Sequence, residues 1–267
     1  MEMPADMVSL FSEDMAAKYL ATLDEQENPN VAVIVTLQPR AGRTDRLIFG
    51  EFLMWKSREY LQRDPRVAAC VVSMKLKTAA LVGDFQGFEK TGANMEQVNS
   101  SAFMRYNAYM GVRMAGVVDV KEVFPVRNIG YGGVARDLLG VTLGKLPLRD
   151  GRAAGAVEIP PIVLEKFKHP AAVKAIAVRA TDGYPRIYPI MAMAPVGEGL
   201  LAFKVTPYNR ELSTFETPCK AACAVLTMDA ISYKVKGTLA HAGKHMGLMV
   251  VEEVYNASPP RAGDRIR

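Results

Sequence analysis

The chain has 267 residues, of which 49% are hydrophobic and 23% charged, a balance typical of a globular protein with one large domain or two small ones. No apolar run approaches the roughly 18–20 residues of a membrane-spanning helix, and the start MEMPADMVSL does not resemble a secretory signal, so we expect a cytoplasmic protein without a membrane partner. The net charge of +5 is scattered, and its densest basic stretch, residues 75–77, is too short to indicate a nucleic-acid partner.

The three cysteines do not indicate a disulfide framework, because their number is odd and small. Cys219 and Cys223 have the spacing of two metal ligands, but no second pair lies at zinc spacing and Cys223 lies in an apolar run. His241 and His245 are similarly spaced but lack the helical context of an HExxH site. The sequence therefore predicts buried thiols and no metal site.

In chain order, the first predicted elements are a helix over residues 12–23, with Ser12 as its N-cap, and a buried strand over residues 30–37. A turn and a strand follow at 43–52, and then a short helix that ends near Pro65. Three further strands are predicted at 67–75, 79–88 and 115–124. This order is typical of an antiparallel sheet that closes into a small barrel with one helical excursion.

The stretch WKSREYLQRDPRVAACVV at 55–72 recurs as YNRELSTFETPCKAACAV at 208–225. Pro65 and Pro218 occupy matching positions in the two copies, and so do Cys70 and Cys223. Both pairs are separated by 153 residues (218 − 65 and 223 − 70). Four more segments match in the same order, which indicates an internal duplication. We therefore expect a first copy at 1–126, a linker at 127–165 and a divergent second copy at 166–267.

Two segments fall outside the repeat. Residues 93–110 form an insert of helical spacing in the first copy. Residues 127–161 are rich in glycine and proline and are interpreted as a linker. The GYGGVAR motif in this linker could bind a phosphate through converging backbone N–H groups, although it lacks the spacing of a P-loop.

Residues 17–125 resemble the FMN-binding split-barrel proteins of the pyridoxamine 5′-phosphate oxidase-like superfamily, in particular the small FMN-binding proteins of sulfate-reducing bacteria. The resemblance rests on ATLDEQENPNVAVIV, RLIFGEF, MWKSREYLQRDPRVAACV and ALVGDFQGF, and residues 170–258 resemble a more divergent copy. It implies a mainly β fold with a few helices, in which two tandem split β-barrels form an intrachain pseudo-dimer. FMN would lie in the groove between the barrels.

The resemblance also implies the cofactor-binding residues. The flavin phosphate would be held by Lys56 and Ser57, with Trp55 in the same turn and Gln86 on a later strand near the ring. The isoalloxazine would lie along the backbone of two segments, Val33, Ile34, Val35 and Thr36 in one and Gly50, Glu51, Phe52, Leu53 and Met54 in the other. A lysine and a hydroxyl supply the charge-assisted donors that a phosphate needs. The alternative is a solvated turn with Ser57 as a helix N-cap.

The second copy differs at the phosphate corner, where Asn209 and Arg210 align with Lys56 and Ser57. We therefore expect one well-formed FMN site, built mainly from the first barrel and closed by the second, and a second site that is empty or degenerate. Further homodimerisation is left open by the sequence.

The resemblance implies an FMN-binding flavoprotein, an oxidoreductase or flavin reductase that uses NAD(P)H or a redox protein, with catalytic residues unknown. Alternatives are a non-catalytic FMN-binding electron carrier and a cofactor-free interaction module. A haem-binding version would use His169, His241 or His245 as axial ligand. Oxidation of pyridoxamine 5′-phosphate is disfavoured, because the C-terminal tail lacks the Arg-x-His motif of those oxidases.

Overall fold

The computed structural model describes residues 1–52, 54–101, 112–144, 154–258 and 262–267. The helices in these ranges are α1 (Ala5–Ser12), α2 (Trp55–Leu61), α3 (Ala93–Ser100), α4 (Tyr131–Gly144) and α5 (Pro161–Lys168), with a 3-10 helix at Arg210–Thr214. The strands of the first half are β1 (Ala17–Leu23), β2 (Pro29–Val33), β3 (Gln38–Pro39), β4 (Arg46–Gly50), β5 (Arg66–Val72), β6 (Lys77–Glu89), β7 (Ala115–Val123) and β8 (Arg127–Asn128). Those of the second half are β9 (Val173–Arg179), β10 (Pro185–Ile190), β11 (Met193–Gly197), β12 (Leu200–Lys204), β13 (Cys219–Leu226), β14 (Ser232–Ala242) and β15 (Met246–Asn256). No helix in the described ranges is long and apolar enough to cross a bilayer.

The strands form two antiparallel sheets with the same topology. The first has the order β2-β1-β5-β6-β7-β4-β3, with β8 paired to β6, and the second has the order β10-β9-β13-β14-β15-β12-β11. Counting the second set from β9 reproduces the first order strand for strand. The predicted fold class is therefore confirmed: the chain is mainly β and contains two tandem split barrels. The exact division at residues 126 and 165 stays a prediction.

Each sheet curls around its own apolar core. The first core includes Leu20, Phe49, Leu81 and Val118, and the second includes Ile176, Phe203, Val235 and Met249. In both barrels a phenylalanine faces a glycine on the neighbouring strand, Phe49 opposite Gly116 and Phe203 opposite Gly247. A Cβ atom at either glycine would overlap the phenylalanine ring. This Gly–Phe pair is a structural repeat that the sequence comparison did not find.

The cysteine match of the repeat is wrong by one residue. Cys70 lies in the core between the two copies, whereas Cys223 lies inside the second barrel. The pairs Phe49–Phe203 and Gly83–Gly237 occupy equivalent places, and both are 154 residues apart (203 − 49 and 237 − 83). Side chains alternate between the two faces of a strand. A sequence separation of 153 in place of 154 therefore matches a side chain on one face with a side chain on the other.

Small side chains cover the faces through which the two copies meet. They are Ala17, Ala21 and Ala68 in the first copy and Ala175, Ala177, Ala222 and Ala224 in the second. Because these side chains are short, β1 and β5 approach the strands of the second copy closely. The fully buried Tyr19 crosses the contact and donates its hydroxyl to the carbonyl of Val173 at 2.8 Å. The two barrels thus form an intrachain pseudo-dimer.

Two elements near the N-terminus differ from the sequence prediction. The helix predicted over 12–23 is wrong, because residues 17–23 form β1, which is buried on both faces. Its Lys, Ala and Leu residues favour a helix locally, but pairing with β2 and β5 overrides that propensity. The strand predicted over 30–37 ends at Val33, and a turn closed by a bond from Leu37 N to Ile34 O follows at 3.0 Å.

The linker and the insert both contain helices. The GYGGVAR motif enters α4, so its glycines do not form a phosphate-binding loop in this structure. The insert is helical at α3, and its residues 102–110 lie outside the described ranges.

The Gly–Phe contact predicts a stability difference between two glycines. Replacing Gly116 with Ala should lower the free energy of unfolding by about 1–3 kcal/mol, because the new methyl overlaps the Phe49 ring. The control is Gly132→Ala in α4, where a Cβ meets nothing within 4 Å and helix propensity favours alanine. Urea denaturation of both variants tests this, and equal stabilities would contradict it.

Candidate functional site

A buried polar network joins the start of α2 to β14 of the other copy. The side-chain amide of Asn30 donates to Thr22 Oγ1 at 3.1 Å and to Ser57 Oγ at 2.9 Å. Its carbonyl oxygen accepts a hydrogen bond from Lys234 Nζ at 2.5 Å. All four side chains are buried. Asn30 therefore fixes a hydroxyl of the first copy and an ammonium group of the second copy in one place.

We call this place the first groove: it is lined by Asn30, Lys56, Ser57 and Tyr60 of the first copy and by Lys234, Lys236 and Tyr255 of the second. The Lys56 ammonium lies 3.9 Å from the centroid of the Tyr255 ring, and that of Lys234 lies 5.1 Å from the same ring. Lys236 pairs with Asp24 at 2.9 Å. Within the described ranges, neither Lys56 nor Lys234 has a carboxylate within ion-pair distance. Glu253 exerts an opposing charge on both lysines without forming an ion pair with either, so the protein neutralises the positive charge of the groove only in part.

Burial and mutual repulsion shift the titration of these lysines. Burial lowers the pKa of Lys234 to about 7, and the charges of Lys236 and Lys56 act in the same direction. Burial, followed by the charge of Lys236, also lowers the pKa of Lys56. Since burying an ammonium group without an anion is costly, an anionic ligand would stabilise the charged form of both side chains.

A second groove lies at the equivalent place between the 3-10 helix of the second copy and β6 of the first. It encloses a cavity of about 50 Å³ lined by residues that include Thr78, Phe124, Arg127, Arg186, Tyr208 and Glu211. Arg186 lies 5.5 Å from the Phe124 ring, much as Lys56 lies over Tyr255.

The charges of the second groove are compensated. Arg127 forms a two-pronged ion pair with Glu211, and Arg186 contacts Asp182 at 2.7 Å and Glu122 at 3.2 Å. Ala80 and Val82 occupy the strand positions that Lys234 and Lys236 hold in the other copy. The first groove therefore differs from the second because it contains two lysines, Lys56 and Lys234, that have no ion-pair partner within the described ranges.

The structure brings together the two segments predicted to hold the isoalloxazine. The turn after β2 meets the end of β4 through a hydrogen bond from Gly50 N to Thr36 Oγ1 at 2.9 Å. Beyond them, Trp55 begins α2 with 43% of its surface exposed, and the Arg113 guanidinium stacks 4.4 Å from its ring. Trp55 is followed in the chain by Lys56, so the place where the two segments meet leads into the lysine corner, the part of the first groove formed by Lys56, Lys234 and Lys236.

The individual side chains of these segments differ in position. Ile34 and Met54 point into the first barrel core, while Val33, Val35 and Phe52 are half-buried. Glu51 is buried, with its closest cation, Arg58, at 3.9 Å. Leu53 lies outside the described residues.

The position of Ser57 excludes one alternative, whereas the place of Gln86 near the flavin ring stays a prediction. Ser57 is the third residue of α2 and is 2% exposed, so the alternative of a solvated N-cap is wrong. Gln86 is exposed and donates to the carbonyl of Asp84, and no contact joins it to the lysine corner in the described part of the chain.

The sequence interpretation missed Asn30, Lys234, Lys236 and Tyr255. One signal for two of them exists in SYKVKG, where lysines alternate with apolar residues on a strand. Alternation places Lys234 and Lys236 on one face, and the register of β13 with β14 shows that this face is buried between the copies. Two lysines on a buried strand face indicate an anion or an ion pair.

Cys70 and Cys223 are buried as expected, whereas Cys219 is half-buried. Burial raises the pKa of both Cys70 and Cys223 to about 12, so neither is a reactive thiolate. Across the described ranges, no group of three His, Cys, Asp or Glu side chains is arranged to hold a metal ion.

Comparisons with solved structures find proteins that each match somewhat less than half of this chain. An FMN-binding protein from Syntrophomonas wolfei is 15% identical, covers 44% of this chain and 81% of its own, and gives a TM-score of 0.38. HupZ of Group A Streptococcus is 18% identical over 46% of this chain and 92% of its own, with a TM-score of 0.38. A predicted pyridoxamine 5′-phosphate oxidase from Lactobacillus delbrueckii is 17% identical over 46% of this chain and 94% of its own, with a TM-score of 0.37. No protein-family model and no curated protein matches the chain.

The lowered pKa of Lys234 predicts how stability depends on pH. The pKa is about 7 in the folded protein and 10.5 as the reference, so between these values the unfolded chain binds more protons and the free energy of unfolding rises with pH. One such group contributes at most about 1.4 kcal/mol per pH unit. Lys18 and Lys174, whose pKa values burial lowers to about 8 and about 7, act in the same direction.

Lys234→Met should therefore make the rise between pH 7 and pH 10 less steep than in the ligand-free wild-type protein. Lys75→Met, which removes an exposed lysine, serves as the control. Urea denaturation at a series of pH values measures the slopes, and parallel curves for wild type and Lys234→Met would refute the assignment.

Proposed function

We propose that this chain is an FMN-binding flavoprotein whose cofactor phosphate binds in the first groove. One observation carries the proposal: Asn30 holds Ser57 of the first copy and Lys234 of the second, and Lys56 and Lys234 lie over the same Tyr255 ring. The flavin part of the proposal comes from the sequence resemblance. FMN-binding is also the property stated for the Syntrophomonas wolfei protein of similar fold.

The chemistry of the groove fits a phosphate monoester. Such a group carries close to two negative charges at neutral pH. Lys56 and Lys234 provide two ammonium groups without a carboxylate partner in the described ranges. Ser57 Oγ accepts a hydrogen bond from Asn30, so its own proton is available for an anion. Charge-assisted hydrogen bonds of this kind are the strong ones in proteins.

The adjoining surface fits the rest of the cofactor. The turn at 34–37 and the end of β4 are joined by the Gly50–Thr36 bond, and we assign them to the isoalloxazine. Trp55 would cover the ribityl chain or the phosphate. Bound FMN would supply hydride and electron transfer, and the residues of the chain would bind and orient it.

We further propose that the chain is an oxidoreductase or flavin reductase, with NAD(P)H or a redox protein as the partner. A visible spectrum of the purified protein tests flavin binding, and steady-state oxidation of NAD(P)H tests the reductase activity. A protein that takes up no added FMN would contradict both.

Replacing the donors of the first groove should weaken FMN binding. Lys56→Ala and Ser57→Ala should each cost about 1.5–3 kcal/mol, the scale of a hydrogen bond to a charged group. Lys234→Met should have an effect of similar size, although this lysine belongs to the other copy. Flavin fluorescence titration measures all three affinities.

Two controls separate phosphate binding from general damage. Arg210→Ala removes a cation that lies in the exposed start of the 3-10 helix, and it should leave FMN affinity unchanged. Riboflavin lacks the phosphate, so its affinity should be the same in Lys56→Ala and wild type. Equal losses for FMN and riboflavin would show that Lys56 does not contact the phosphate.

A further inference from the structure

We propose that the linker helix α4 is a built-in occupant of the second groove, so that the chain binds one flavin and not two. The proposal rests on the flavin site proposed for the first groove. It assigns to α4 a role that the sequence, which presents this segment as a glycine-rich linker, does not suggest.

A carboxylate of α4 reaches the wall of the second groove. Asp137 Oδ2 accepts a hydrogen bond from the Tyr208 hydroxyl at 2.8 Å, and both side chains are buried. The other oxygen, Oδ1, has no hydrogen-bond partner, and its closest cation is Arg136 at 3.8 Å. Burial raises the pKa of this carboxyl. An acid of the chain itself thus points at the place where the second copy would bind an anion.

The rest of α4 packs on the second barrel. It lies against β11 and β12, and a side chain at Gly140 would press on Lys204. Lys204 also draws down the pKa of Asp137, which places its ammonium group close enough to compensate part of the negative charge. Val134 packs against the core shared by the two copies.

The entry to the linker is anchored at the same groove. Arg127 donates to the carbonyl of Pro207 at 3.0 Å and pairs with Glu211. These two residues flank the start of the 3-10 helix, which corresponds to the α2 turn of the first groove. The cavity that remains is about 50 Å³, compared with about 300–1,000 Å³ for ordinary ligand pockets. This cavity alone is too small for a flavin, and α4 reaches it through the contact of Asp137 with Tyr208, which lines it.

The chain takes a different course after the second barrel. Residues 262–267 turn back to β15, where Arg265 bridges to Tyr255 and pairs with Glu253 at 3.1 Å. The carboxylate that acts on both Lys56 and Lys234 is Glu253, which accepts a hydrogen bond from Tyr255 at 2.5 Å and belongs to β15 itself, not to a segment outside the barrel. Because α3 packs on β4 of the first barrel as α4 packs on β12 of the second, the difference between the grooves lies in the carboxylate of Asp137 and not in the presence of a helix.

The experiment combines flavin stoichiometry with hydrogen exchange of the full chain. Titration with FMN should give one FMN per chain. Saturating FMN should slow exchange in peptides that cover α2 and β14 and leave α4 unchanged. Tyr208→Phe removes the donor to Asp137 and should speed exchange in α4 about tenfold, the scale of one hydrogen bond.

The matched control is Tyr184→Phe, which removes another tyrosine hydroxyl bond at the contact of the two copies, to Asp84, and should not affect α4. Two FMN per chain, or loss of α4 protection when FMN is added to the wild type, would overturn the proposal. Absence of any FMN binding would count against the function proposed for the first groove. In that case hydrogen exchange in Tyr208→Phe and Tyr184→Phe still decides whether the bond between Asp137 and Tyr208 holds α4 on the second groove. Equal exchange rates of α4 in the two variants would exclude that role.

Discussion

Alanine faces allow β1 and β5 to pack directly against the strands of the second copy, and this contact brings Lys234 within hydrogen-bonding distance of Asn30. Larger side chains at Ala68 or Ala222 would push the sheets apart, since cores filled at crystal density have no spare room. The lysine corner would then lose half of its members. The candidate site therefore depends on the packing between the copies more than on either barrel.

The lysine corner is electrostatically costly without a ligand. Lys234 is buried and its pKa is lowered to about 7, which means that at neutral pH the protein already gives up much of its charge. Structural stability alone does not account for such an arrangement, because an apolar residue would fill the place at lower cost, as Ala80 and Val82 do on the equivalent strand. A bound anion would offset the cost of burying the Lys234 ammonium group, because it stabilises the charged form.

Sequence patterns predicted the features that are local in the chain. The duplication, the mainly β fold and the turn with Lys56 and Ser57 all follow from short motifs and their order. The sequence did not predict which strand face each side chain occupies. The matched cysteines differ by one residue in register, so Cys70 and Cys223 point to opposite sides of equivalent strands. Lys234 was missed because it lies 204 residues from Asn30, and only the packing of the two barrels joins them.

The asymmetry of the two grooves is a consequence of joining both barrels in one chain. In a homodimer with two-fold symmetry, every residue appears at both equivalent sites, so a lysine in one groove implies a lysine in the other. In a tandem chain, Lys234 and Lys236 occur on one copy only, and Ala80 and Val82 stand at the other. The linker adds a second difference, because a segment that joins two copies passes one groove and not its counterpart. The same covalent connection that removes the symmetry thus supplies α4, which packs on β11 and β12 and reaches the second groove through Asp137.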